Sequence, residues 1–160
     1  MADALEELKS ISARINESSD VLNSTLQQVN TKLRELNFGL TVWLDGPPLA
    51  VKSVDPPARL LRMHIYKVEE REILGFTKIH QVGWCLAVVK LRVAHGHFEG
   101  DTSCPFSEVT EDDPRPLMEC SRDLRVAAIE LLPKIFELLK AEGNRLLASI
   151  EQVKEFADQL

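Results

Sequence analysis

The chain has no uninterrupted apolar run of about 18 residues, the length needed to cross a bilayer as a helix. No membrane-spanning segment is expected. It has three cysteines, Cys85, Cys104 and Cys120. An odd number at irregular spacing is no disulfide framework, and thiols in a reducing compartment are the simpler reading. Asp3, Glu6 and Glu7 stand where a secretory leader would be basic and then apolar, so a cytoplasmic setting is expected. No G-x-x-x-x-G-K-[ST] or G-x-G-x-x-G phosphate loop occurs, and no serine lies in a G-x-S-x-G turn. With no catalytic or cofactor motif, neither an enzyme nor a cofactor is the leading expectation, and no motif is specific enough to tie residues to a known family.

Positive charge is also short. The net charge is −6, with 19 basic and 25 acidic residues. An acidic whole argues against nucleic acid, whose phosphates demand basic faces. The imbalance is local: the segment 99–120 carries seven acids against Arg115 alone, while the rest nearly balances. The one basic cluster is Arg62, Lys78, Lys90 and Arg92 on alternating positions of the strand-like region, which reads as a solvated sheet face.

What the chain does have is helical apolar spacing at both ends. Ile129, Leu132, Phe136, Leu139, Gly143, Leu146, Ile150, Val153, Ala157 and Leu160 follow at steps of three and four. That is a heptad seam of coiled-coil type. A second stripe, Leu124, Ala128, Leu131, Ile135 and Leu138, accompanies its first half only. The first half should therefore be buried on two sides and the second on one. Pro133 and Gly143 interrupt the propensity but not the phase, so one bent helix is expected over 118–158. The N-terminal helix, 1–36, lacks Pro and Gly and shows the same stepping through Leu22, Leu26, Val29, Leu33 and Leu36. At 1.5 Å per residue it would be about 50 Å long, longer than a small sheet. Asn37 or Gly39 should end it with a positive φ.

Between the helices, 39–93 alternates as strands do. Leu40, Val42 and Leu44 oppose Thr41 and Trp43, and Asp45-Gly46-Pro47-Pro48 is a turn. Arg59 to Val68 alternates again, Glu69 to Glu72 reads as a charged turn, and Leu74–Ile79 with Trp84–Val93 form the clearest hairpin. The segment 94–117 holds Gly96, Gly100, Pro105, Pro114 and Pro116 without periodicity and reads as an acidic loop.

The expected fold is α+β in a single domain, 1–160. An antiparallel meander of four to five strands is flanked by long terminal helices that pack on it, on each other, or both. Burying seven large side chains of the C-terminal seam at about 2 kcal/mol each gives an upper bound of about 14 kcal/mol, so the stripe requires a cover. The distal seams can pair with each other as a helical hairpin, or across a symmetric homodimer, or with another protein. The expected function is therefore a non-catalytic interaction or assembly module acting through Leu22, Leu26, Val29, Leu33, Leu139, Leu146, Ile150 and Val153. One alternative is a small-ligand or peptide site on the sheet face around Trp43, Tyr66 and Trp84. The other is an enzyme or metal site in 94–120 built from His95, His97 and Cys104, whose spacing matches no known ligand pattern and for which no metal is expected.

Overall fold

The computed structural model describes residues 2–56, 63–98 and 101–157, with side chains described for 4–56, 64–98 and 105–157. The N-terminal apolar repeat forms one helix, α1 (Ala2–Glu35). It ends where expected, and both Asn37 and Gly39 adopt positive φ, at 49° and 64°. The C-terminal repeat likewise forms one helix, α2 (Arg122–Ala157), which runs through Pro133 and Gly143. No helix among the described residues is long and apolar enough to cross a membrane.

Among the described residues six strands form one antiparallel sheet: β1 (Val42–Trp43), β2 (Ala50–Val54), β3 (Met63–Ile79), β4 (Gly83–Phe98), β5 (Asp101–Glu111) and β6 (Arg115–Pro116). The long β3–β4 hairpin is its centre. β1 and β2 follow one another along the free side of β3, and β6 and β5 along the free side of β4. The α+β meander flanked by terminal helices is thus the observed architecture.

Two expectations of the sequence are corrected. Glu69 to Glu72 is not a turn but the middle of β3, paired on both sides, with Ser53 to Ala50 of β2 and with Val93 to Lys90 of β4. The segment 94–117 is not a loop. His95 to Phe98 complete β4, and β5 pairs with β4 from Leu91 to Phe98. Ladder hydrogen bonds decide both cases: a strand with neighbours holds charged side chains without apolar alternation. Pro105 is tolerated because β5 is an edge strand, where one donor fewer costs no ladder bond. The part of the expected strand at 59–62 lies outside the described residues.

The faces of the hairpin differ. Leu74, Phe76, Leu86 and Val88 point to the helices and join Leu26 and Leu33 of α1 with Leu124, Ala128, Ile135 and Leu139 of α2 in the core. On the other face Cys85, Ala87 and Val89 are buried, and the ring of Trp43 lies where a side chain on Gly75 would be. Burial pushes the Cys85 and Cys120 thiols above the ordinary thiol range, which keeps them neutral.

The free edge of β4 is closed by a helix. The Leu86 amide, which faces away from β3, donates to Asn30 Oδ1 at 2.7 Å. One turn further along α1, Arg34 Nε donates to the Trp84 carbonyl at 3.2 Å. A buried strand edge is thereby satisfied by side chains where no neighbouring strand reaches.

The charges within β3 are paired, across the ladder to β4 and along the strand itself. Arg92 and Lys90 meet Glu70 at 2.7 and 3.7 Å. Lys67 and Arg71 both meet Glu69 at 2.7 Å. Hydrogen bonds from Lys67 and Arg71, in that order, hold the Glu69 carboxyl down at about 2. A depressed folded-state value stabilises the fold fully above the free carboxylate range and loses that contribution as pH falls toward 2. The urea midpoint should therefore fall between about pH 4.5 and 2, and Glu69→Gln should flatten that limb. An unchanged acid limb in the variant would refute the assignment.

Candidate functional site

The two helices lie side by side and run in the same direction. Arg122, at the start of α2, donates to Asn16 Oδ1 of α1 at 3.3 Å. At the other end Val29, Leu33 and Leu36 face Phe136, Leu139 and Gly143 across a common groove. Two consequences follow from this parallel placement. The residues of α1 before Ile11 project at one end, and those of α2 after Leu147 project at the other. Each overhang is about 15 Å long at 1.5 Å per residue. Projecting in opposite directions, they cannot form the intrachain helical hairpin that the distal seams suggested.

The seam residues divide along this line. Leu26, Leu33 and Leu139 are buried, and Leu22 and Val29 are half-buried. Leu146, Ile150 and Val153 are exposed, at 44%, 43% and 67%. They continue the face of Leu139, so one stripe is covered by the sheet as far as the sheet reaches and bare beyond it. The N-terminal half of α1 repeats the pattern, with Leu5, Leu8, Ile11 and Ile15 exposed in phase with buried Leu26.

The expectation that the first half of α2 is buried on two sides is corrected as well. Leu124, Ala128, Leu132, Ile135 and Leu139 are buried, but Ile129 and Phe136 face open space toward α1. The 3-10 turn Leu117–Glu119, with Leu117 fully buried, packs on α1, α2 and β4 together, and beside Ile129 and Phe136 the facing surfaces of the helices are separated by open grooves.

The gap is a groove of about 590 Å³. Its walls are Val29, Leu33 and Leu36 from α1 and Phe136, Leu146 and Leu147 from α2, and Phe38 and Leu40 close one end. Its polar lining consists of Lys32 from one helix, Lys140 from the other, and Asn144. A second, shallower groove of about 560 Å³ lies toward the α1 N-terminus, lined by Ile11, Ile15, Leu22, Val126 and Ile129 among others. Sequence spacing shows which residues share a helix face, but it could not reveal a gap between faces.

The other sequence-derived sites are dispersed. Trp84 lies on the helix side of the sheet, stacked on Phe76 at 5.7 Å. Trp43 lies on the opposite side, over Gly75. Tyr66 is at the far end of the hairpin, 6.2 Å from His97. The three do not form one face. Of the basic cluster, Arg62 lies outside the described residues, and Lys90 and Arg92 are engaged by Glu70. His95 meets the Ser107 hydroxyl at 2.8 Å, and His97 packs against His64 at 4.9 Å between ring centres. The Cys104 side chain lies outside the described residues. Among the described residues no group of three or more His, Cys, Asp or Glu side chains is placed to hold a metal ion.

No protein-family model, curated protein or solved structure matches this chain. The candidate site is therefore defined by geometry alone: two apolar overhangs and the groove between parallel helices.

Proposed function

We propose that the protein is a non-catalytic assembly module that pairs with a second copy of itself through the distal half of α2. The observation that carries this reading is the exposed continuation of a buried stripe: Leu146, Ile150 and Val153 continue the face of Leu139 and are exposed. Two copies of one stripe are self-complementary about a two-fold axis, the commonest symmetry of soluble oligomers. An antiparallel pairing that sets Leu146 opposite the partner's Ile150 covers both stripes at once. A cytoplasmic setting, with Cys85 and Cys120 as buried thiols, belongs to the same reading.

Light scattering tests it. The full chain should have twice its mass of 18.0 kDa. Ile150→Asp and Val153→Asp should each return it to 18.0 kDa with an unchanged helical circular dichroism signal. Both positions are exposed in the single chain, so neither substitution disturbs the core. A wild-type protein that stays at the single-chain mass at every concentration, or variants that stay dimeric, would remove the proposal.

A further inference from the structure

The groove between α1 and α2 shares Leu146 with the self-association stripe, and the rest of its lining has a chemistry that pairing does not use. Its walls are apolar, and among its lining residues there is no carboxylate. In a protein of net charge −6 that is a local reversal, because Lys32 and Lys140 bring two positive charges to the same opening, one from each helix. Both lysines are exposed and enter no ion pair among the described residues. The nearby acid Glu142 is engaged by Arg145 at 2.8 Å. Asn144 adds a neutral amide at the same level. The volume, about 590 Å³, lies within the range of small-molecule sites.

We propose that this groove binds an amphiphilic anion, a free acyl chain ending in a carboxylate. The chain lies between Leu33 and Leu36 on one side and Phe136 and Leu147 on the other, and the head sits between Lys32 and Lys140. Charge complementarity chooses this occupant: an uncharged apolar molecule leaves the paired lysines without a role, and an amphiphilic cation meets two like charges. The lysine stems lie along the apolar walls while their ammonium groups reach the anion at the rim.

Gly143 is the feature that keeps the groove open. A Cβ added there meets only the Phe38 ring, at 3.9 Å, an ordinary contact. Gly143→Leu therefore fills the groove without moving backbone, and it replaces glycine within a helix by a strong helix former.

The test is calorimetric titration of the full chain with octanoate, decanoate and dodecanoate below their micelle concentrations. Dodecyltrimethylammonium is the cationic control. Saturable binding of one dodecanoate per chain is expected, with affinity rising about fourfold for each added methylene, the equivalent of about 0.8 kcal/mol. Dodecanoate should bind at least tenfold more tightly than the cation. In Lys32→Glu with Lys140→Glu, two surface changes that leave the core intact, that preference should invert. Gly143→Leu should abolish binding while its melting temperature does not fall. The idea is overturned if the two head groups bind equally, if chain length has no effect, or if Gly143→Leu binds as the wild type does. Sedimentation with phosphatidylglycerol vesicles that dodecanoate fails to compete away would also overturn it, since the occupant would then be a membrane surface.

Discussion

Gly75→Ala should destabilise the protein by about 3 kcal/mol, a large effect for a single added methyl group. Gly75 is in the interior of β3, opposite Trp43 of β1. A Cβ at this position would fall inside the Trp43 indole and 2.6 Å from the Val42 carbonyl oxygen. Neither neighbour can yield: the oxygen is backbone in a paired strand, and β1 is held there by its register with Phe76 and Gly75. Glycine in a strand interior ordinarily weakens it, and here the indole supplies the missing packing. The same device recurs at Gly96, where the Phe106 ring would lie 2.8 Å from an added Cβ. Urea denaturation with a constant m-value measures the effect. In a Trp43→Ala background the cost of Gly75→Ala should shrink, because only the carbonyl contact remains. A midpoint within experimental error of wild type would show that β1 does not hold the indole over Gly75.

Asn30→Leu should cost about 1–3 kcal/mol, although leucine is the better helix former and similar in size. The loss comes from β4. Leu86 is fully buried, and its amide hydrogen has Asn30 Oδ1 as acceptor. Leucine offers none, so a buried donor is left unsatisfied at full desolvation cost. Asn30→Asp keeps an accepting oxygen and should lose less. Amide exchange at Leu86 gives a local readout: protection should drop in Asn30→Leu and survive in Asn30→Asp. If Asn30→Leu is as stable as wild type, α1 does not seal the β4 edge by hydrogen bonding.

Both effects concern positions that the sequence does not mark. Asn30 is one polar residue in a polar helix, and its partner is 56 positions away. Gly75 looks like a weak point in a strand until Trp43 is placed over it. The elements that were legible are those whose signal is local. The terminal helices follow from apolar steps of three and four, the stop after Glu35 from Asn37 and Gly39, and the β3–β4 hairpin from alternation on both sides of Gly83. Glu69 to Glu72 and Asp101 to Glu111 were misread because their strand conformation comes from pairing partners rather than from their own pattern. Phe136 was misread for a related reason. Phase assigns it a face, but the distance between α1 and α2 determines whether that face meets a neighbour.

The candidate site divides in the same way. Leu146, Ile150 and Val153 were legible as a stripe requiring a cover. Their exposure was not, because it depends on where the sheet ends relative to the helix. The pairing of Lys32 with Lys140 was invisible, since 108 positions separate them and only a parallel alignment of α1 with α2 brings them to one opening.

By itself the sequence determined two long amphipathic helices, an antiparallel sheet between them and the absence of phosphate-loop or nucleophile motifs, because periodicity and turn chemistry act over a few residues. Only the tertiary structure decided that the helices lie parallel, that a groove separates them beside Phe136, and that their apolar ends project in opposite directions. Those outcomes depend on how separate elements share one core, and no local pattern in the chain encodes that packing.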